Sequence, residues 1–324
     1  MPANLIQPMW ARTSRVAAVD VGTNTIRLLV ARINEQHVIH VEHSDREMTR
    51  LGEGLAHTGR IADVAVERSL AVLGRFSEKI RELAPDGVAV AATSAVREAE
   101  NGPQFAERVR AETGLDLNVI PGDEEARLTA LGASSVLNGD TRNLLIVDIG
   151  GGSTEFILIK GGEQAARVSV PMGVVTATER FLEGDPPRQP ELYDLDEFLR
   201  KHMRTVREGL GELGNVRLVA TAGTPTTLAA MDQEMTVYDP ARINNHVLPL
   251  LRVEELYARI ARASIAERAR MTGIESGREE LMVSGCAILL RVMHDFQFGA
   301  VSVSDYGLRE GLAIDLFERL GRSV

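Results

Sequence analysis

The chain reads as an α/β protein built twice over, with two mixed sheets carrying helices and facing one cleft. Three observations predict this. The first is LLIVDIGGGSTEFILI (144–159), an apolar run that ends in Asp148, turns through Gly150, Gly151, Gly152, Ser153 and Thr154, and resumes after Glu155. The second is the same grammar upstream in VAAVDVGTNTIRLLVARI (16–33), with Asp20 in the place of Asp148, followed by Gly22, Thr23, Asn24 and Thr25. The third is that strands and helices follow each copy in a similar order. The spacing of the copies far exceeds the ~20–50 residues of solenoid units, so a duplicated domain accounts for it. A length of 324 residues accommodates two domains of roughly 150 each.

Taken in order, the first copy supplies two strands, and VIHVEH (38–43) a third by alternation and β-branching. Residues 61–83 place Ile61, Val64, Ala65, Leu70, Leu73, Phe76 and Ile80 at helical spacing with charges opposite. GVAVAAT (87–93) is a buried strand. PQFAERVRAETG (103–114) is a short helix with Pro103 near its start and Gly114 past its end. LNVI (117–120) and a helix from Glu124 to about Val136 complete the half. SSVLNGDTRN (134–143), turn-rich and polar, marks the boundary. The second half predicts strands at 144–149, 155–160 and 166–170, then helices near 173–183 and 191–213. RLVATAG (217–223) runs as a strand into a third glycine turn and the helix 224–231. A mostly helical 253–293, a strand at 300–307 and an amphipathic helix at 308–320 follow.

Apolar content of 44% and charged content of 25% are those of a soluble globular protein. The net charge of −10 argues against a broad nucleic-acid or membrane binder, which is ordinarily basic. A polyanionic substrate would therefore meet local positive groups. Of the 36 basic residues only Lys79, Lys160 and Lys201 are lysines. Arginine's fork suits phosphate, although an arginine-rich codon preference explains the bias more simply. One cysteine, Cys286, excludes an intrachain disulfide and a CxxC metal site and suits a reducing, cytoplasmic setting. MPANLIQPMWARTSR lacks the apolar core of a signal peptide, and no apolar run approaches the ~18 residues of a membrane span.

Glycines let backbone N–H groups converge on an anion, and Asp148 and Glu155 at the lips of their turn can hold a hard cation beside it. A loose hairpin is the plainer explanation for either turn alone. Five loops gather at strand ends, where open α/β sheets bind ligands: DVGTNT (20–25), ATSAVREAEN (92–101), IPGDEEARL (120–128), DIGGGSTE (148–155) and TAGTPTT (221–227). Thr93 and Ser94 are candidate helix caps, and Arg97, one turn on, can meet phosphate bidentately. Asp123, Glu124 and Glu125 open a helix, where acids complement its dipole. A carboxylate there can alternatively orient a water attacking phosphorus.

Together DVGTNTIRLLVA, ATSAVREAEN, GDEEARL, DIGGGSTE, VPMGVVTATERF (170–181) and TAGTPTTLAAM resemble the exopolyphosphatase/guanosine pentaphosphate phosphatase family, in its order and across nearly the whole chain. The resemblance implies two ribonuclease-H-like domains of the actin, sugar-kinase and heat-shock-ATPase superfamily. Residues 1–133 with 308–324 would form one, the C-terminal helix crossing back onto it, and 134–307 the other. It implies Glu125 as general base, and Asp148 and Glu155 as carboxylates for Mg²⁺ (Mn²⁺ as substitute), with Asp20 as a further metal-linked acid. Gly22, Thr23, Asn24, Ser94, Arg97 and Gly150 to Ser153 (Gly151 and Gly152 between them) match the phosphate-holding positions. Gly223 and Thr224 of the third turn join them.

The implied activity is Mg²⁺-dependent release of orthophosphate from the end of inorganic polyphosphate, with a homodimer as the assembly. The rivals are 5′-phosphate removal from guanosine pentaphosphate, a sugar or acetate kinase, and a non-catalytic binder of guanosine tetraphosphate or polyphosphate. Longer relatives continue into a helical, metal-dependent HD-type region. This chain stops at Val324, and His294-Asp295 lacks companion ligands, so short polyphosphates are the expected substrates. Pro121 stands where serine is commoner and would stiffen the loop that carries Glu125.

Overall fold

The hydrophobic runs on either side of each glycine turn pair as antiparallel hairpins, and the remaining elements assemble around these two hairpins. The computed structural model describes residues 13–322, so the prediction made for the amino-terminal segment 1–12 lies outside the described residues. In chain order the first half comprises β1 (Thr13–Val21), β2 (Thr25–Asn34), β3 (Ile39–Met48), α1 (Leu55–Thr58), α2 (Asp63–Leu83), β4 (Gly87–Ala92), α3 (Ser94–Glu98), α4 (Gly102–Thr113), β5 (Leu117–Val119) and α5 (Gly122–Ser135). The second comprises β6 (Leu144–Ile149), β7 (Thr154–Lys160), β8 (Glu163–Val170), α6 (Val174–Phe181), α7 (Gln189–Leu210), β9 (Arg217–Thr221), α8 (Gly223–Asp232), α9 (Pro240–Ile243), β10 (Val247–Pro249), α10 (Leu250–Arg262), α11 (Ile265–Arg268), α12 (Met282–Asp295), β11 (Ala300–Val303) and α13 (Leu308–Arg322).

The first sheet runs β3-β2-β1-β4-β5 and the second β8-β7-β6-β9-β11, with β10 added outside β11. In both, the first three strands are antiparallel and the next two join in parallel. The duplication read from the two turns thus extends to topology, and the fold is two ribonuclease-H-like domains. Two predicted strands end early: 217–223 at Thr221 and 300–307 at Val303, where the chain turns instead. The edge strand β10 follows too short an apolar stretch to be predicted.

α2 and α4 cover one face of the first sheet through Leu73, Phe76 and Phe105. The other face is covered by α13, whose Leu312, Ile314 and Phe317 meet Val16, Ala18 and Leu29. Full burial of each such side chain is worth about 1.5–3 kcal/mol. α5 lies between the sheets, with Leu128 toward the first and Ala126, Ala130 and Ala133 against Leu144, Ile146 and Ile157 of the second. α5 and α13 touch backbone to backbone: a Cβ on Gly132 would stand 2.0 Å from the Gly307 oxygen, and one on Gly311 1.8 Å from the Leu128 oxygen. This contact leaves no latitude in the placement of α5, the helix that carries Glu125.

Candidate active site

Both turns close by the same hydrogen bond. Gly22 N–H donates to the Thr25 oxygen at 3.1 Å, and Gly150 N–H to the Ser153 oxygen at 3.0 Å. Their outer carbonyls are also satisfied alike. Gly52 and Arg50 N–H donate to the Thr23 and Asn24 oxygens, while Gly173, Val174 and Val175 N–H donate to the Gly152, Gly150 and Gly151 oxygens. A trans peptide sets its N–H opposite its C=O. With the carbonyls drawn outward, the amides of Asn24, Thr25, Gly151, Gly152 and Ser153 point the other way, toward the cleft. The braces come from 50–52 and 173–175, each following the third strand of its sheet, and each segment includes a glycine, Gly52 or Gly173. Neither glycine tolerates a Cβ, which would approach Thr23 Cγ2 to 2.3 Å and the Gly151 oxygen to 2.2 Å respectively.

The two turns face each other in contact. A Cβ on Gly151 would sit 2.8 Å from Thr23 Cβ, and one on Gly152 2.3 Å from Ser94 Oγ. They line a cavity of about 110 Å³ together with Asp20, Thr93, Ser94, Glu125, Asp148, Gly223, Thr224, Arg27 and Arg278. All the predicted site residues except Arg97 and Glu155 line it, and these two stand directly behind it on Glu125 and Asp148.

Glu125 is buried, 7% exposed, in the first turn of α5. Burial pushes its carboxyl up to about 7, against the lowering pull of Arg97. Arg97 Nη1 donates to Glu125 Oε2 at 2.8 Å and to the Ile120 oxygen at 3.0 Å, so it clamps the acid. The neighbouring acids behave as ordinary surface groups, Asp123 paired with Arg167 and Glu124 with Arg127. Thr93 and Ser94 make no side-chain cap, and Ser94 Oγ donates instead to Glu98 at 2.7 Å.

Asp148 and Glu155 are opposite each other in the β6–β7 ladder. Asp148 accepts from Thr129 Oγ1 at 3.2 Å and Glu155 from Ser169 Oγ at 2.8 Å. Burial raises Asp148, and raises Glu155 well above the usual carboxylate range with help from Glu125 and Asp148. Burial pushes Asp20 up to about 6, while Arg27, its ladder partner on β2, pulls the other way. A pocket of acids held above their ordinary range is one that a cation would discharge. Among the described residues no three His, Cys, Asp or Glu side chains converge closely enough to hold a metal alone. Asp20, Asp148 and Glu155 therefore form no complete protein cage. The donor set fits Mg²⁺, which is usually bound by one or two carboxylates plus waters and substrate phosphates.

Three features carry no local motif in the sequence. Arg27 lies across the ladder from Asp20, legible only once the register is known. Arg278 comes from the irregular segment before α12, and burial pushes it down to about 10. A Cβ on Gly223 would stand 1.7 Å from its Nη1, so the absent side chain makes its seat. Ala222, which precedes α8, has φ 74° and ψ −167°, a conformation otherwise almost confined to glycine that costs about 1–3 kcal/mol. Through Arg27, Ala222 and Arg278 the cavity continues into a chamber of about 320 Å³ that Arg46, Tyr238, Asp305 and Arg309 also line. His294 and Asp295, by contrast, are structural, paired with Glu254 and Arg291.

Residues 29–320 match the model of the Ppx/GppA phosphatase family. Exopolyphosphatase 2 of Mycobacterium tuberculosis is 32% identical over 94% of this chain and 98% of its own length. Among solved structures, an exopolyphosphatase-like protein superposes with a TM-score of 0.90 at 30% identity, over 95% of this chain and 99% of its own. The Aquifex aeolicus family member superposes with 0.80 at 31%, over 95% and 99%.

Proposed function

The chain belongs to the Ppx/GppA phosphatase family, and from this we propose that it is an exopolyphosphatase, releasing orthophosphate from the end of a short inorganic polyphosphate. The observation that carries the reading is the buried Glu125 on the same cavity as two facing glycine turns. In this reading the terminal phosphoryl group sits between the turns, its oxygens met by the inward amides and by Arg27 and Arg278. Glu125, aimed by Arg97, orients a water in line with the leaving oxygen and takes up its proton. Phosphoryl transfer depends on positioning and charge stabilisation more than on covalent chemistry, and no side-chain nucleophile is required. Asp148 and Glu155, with Asp20 nearby, would hold Mg²⁺, which when bound supplies neutralisation of phosphoryl charge. Mn²⁺ is the substitute.

The chamber beyond Arg27 and Arg278 receives the remainder of the substrate. Because Tyr238 offers a ring and Asp305 a carboxylate beside the arginines there, guanosine pentaphosphate is the second reading. The domain limits we infer are 1–133 with 308–324, and 134–307. The homodimer and the cytoplasmic setting rest on the family resemblance, on base rates and on the cysteine usage. No helix among the described residues is long and apolar enough to cross a membrane.

The test is phosphate release with Mg²⁺ from tripolyphosphate, long polyphosphate and guanosine pentaphosphate in parallel. Tripolyphosphate should be the preferred substrate, and Glu125→Gln should slow turnover at least about 10²-fold with tripolyphosphate affinity intact. Turnover near wild type in that variant removes Glu125 from the mechanism, and release from none of the three leaves a non-catalytic binder.

A further inference from the structure

Along one side of the cleft, β3 of the first sheet runs against the segment that leads into α12 of the second half. Three contacts follow one another along it, the last just past the end of β3. Arg46 pairs with Glu275, Met48 packs on Gly277, and Arg50 pairs with Glu280 at 3.3 Å. Gly277 has φ +87°, and a Cβ there would meet Met48 Cε at 2.6 Å, so the strap is fitted as well as charged. A fourth link, Gly54 N–H to Glu179 Oε1 at 2.9 Å, lies nearby.

Of the two ion pairs only the inner one touches the site. Glu275 gives Oε1 to Arg46 and Oε2 to Arg278 Nε at 3.0 Å. One carboxylate thus links an arginine of the opposite sheet to the arginine that lines both cavities. Arg278 springs from an irregular segment, its guanidinium is seated on Gly223, and Glu275 is the acid it pairs with. Arg46 also lies over the Tyr238 ring, 5.6 Å from its centroid, which fixes it from the chamber side.

We propose that Glu275 is a positioning residue: by bridging Arg46 and Arg278 across the cleft it makes the aim of Arg278 at substrate phosphate depend on closure of the two halves. With the halves apart, both oxygens of Glu275 are free to turn onto Arg278 and draw its fork away from the cavity. With them together, Arg46 claims one oxygen and Arg278 keeps a single bond at Nε, leaving its two terminal nitrogens for phosphate. Substrate affinity and cleft closure are then one equilibrium, favoured by the same contacts. This inference rests on the reading of the cavity as a phosphate site.

The experiment measures tripolyphosphate binding by titration calorimetry without divalent metal, alongside kcat and KM with Mg²⁺, for Glu275→Gln, Arg46→Gln, their combination, and Glu280→Gln of the outer pair. Thermal unfolding verifies that each variant is folded. Glu275→Gln should weaken binding about tenfold, as loss of one charge-assisted hydrogen bond does, and raise KM with kcat within about twofold. Arg46→Gln should do the same, and the combination should be no weaker than either alone, since both cut one linkage. Glu280→Gln should change binding less than about twofold.

A field effect alone predicts the opposite sign for Glu275→Gln, because removing a carboxylate beside two arginines would tighten an anion. Tighter binding in Glu275→Gln, or a combination weaker by about a hundredfold, overturns the proposal. So does an effect of Glu275→Gln no larger than that of Glu280→Gln. If Glu275→Gln does not fold, Glu275→Asp replaces it: the charge stays but the shorter arm cannot span Arg46 and Arg278, so the same loss of affinity is expected, and wild-type affinity overturns the proposal. Binding without phosphate release in the wild type would sink the hydrolase reading and leave this inference standing.

Discussion

The two glycine hairpins share a strand register, a closing hydrogen bond and outward carbonyls braced by the segment after the third strand, yet they differ in charge. Across the ladder from Asp20 stands Arg27; across from Asp148 stands Glu155. The turns differ in bulk in the same complementary way. Thr23 and Asn24 occupy the positions held in the other turn by Gly151 and Gly152, so the filled turn nests on the empty one. The difference teaches that a duplicated scaffold becomes a site when its halves stop being equivalent. In the proposed site one sheet would turn a guanidinium toward the phosphate and the other carboxylates toward a cation, so neither half would contain the whole constellation.

The comparison breaks hardest at the bare turn. Gly152→Ala puts a methyl within 2.3 Å of Ser94 Oγ. It should cost about 1–3 kcal/mol by overpacking and, by prising the turns apart, at least about 10²-fold in kcat/KM. Asn24→Ala at the matching position should cost under about tenfold, as steady-state kinetics and thermal unfolding will show. Equal losses would mean the turns are interchangeable.

A second pair sharpens the division of charge. Arg27→Gln should raise the KM for tripolyphosphate about 10–10²-fold with little change in the Mg²⁺ concentration that half-saturates the rate. Glu155→Gln should do the reverse, raising that Mg²⁺ concentration by about tenfold or more. Titrating each ligand against fixed excess of the other separates them.

A third prediction concerns the carboxylates as a group. Folding holds Asp20 at about 6 and Glu125 at about 7, against ordinary values of 3.8 and 4.5. Between the ordinary and the raised values the folded chain binds more protons than the unfolded one, so stability falls as pH rises. At about 1.4 kcal/mol per unit the loss is on the order of 3 kcal/mol for either group. In EDTA the melting midpoint should therefore drop from pH 5 to pH 8, Glu125→Gln should flatten that slope, and Mg²⁺ should restore more at pH 8 than at pH 5.

The smallest effect is at the third turn. Ala222→Gly relieves a backbone conformation that alanine resists and should raise stability by about 1 kcal/mol, measured by denaturant unfolding.

Much of this architecture is legible in the residues, because hairpins, amphipathic helices and glycine turns are written locally. The position of Asp148 and most of the burial side of α2 need only neighbours a few residues away, although Val64, placed on that side by its spacing, is 61% exposed, and Val66 and Val72 are buried instead. What was not legible depends on distance in the chain. Arg27 is one arginine among many until the ladder sets it against Asp20. Arg278 gains meaning only from the space that Gly223 leaves. Thr129 looks like an ordinary helical threonine, yet it sits one turn beyond Glu125 on the same face and donates to Asp148. Residue type alone suggests Arg97 as a phosphate ligand; only the folded chain reveals that its Nη1 donates to Glu125 and to a backbone carbonyl. Ala222 offers no sign of its strain, since the residue type argues for the opposite conformation.

The packing of α13 against β1, β2 and α5 has a consequence for how the molecule is made. The first sheet emerges from the ribosome with most of one face uncovered, and the helix that will cover it is synthesised only after the whole second half has followed. Completion of the earlier domain thus waits on the later one. A nascent chain halted before Leu308 would expose Val16, Ala18, Leu29 and Ala31 together, an adhesive strip that invites capture by holding factors until the missing helix arrives.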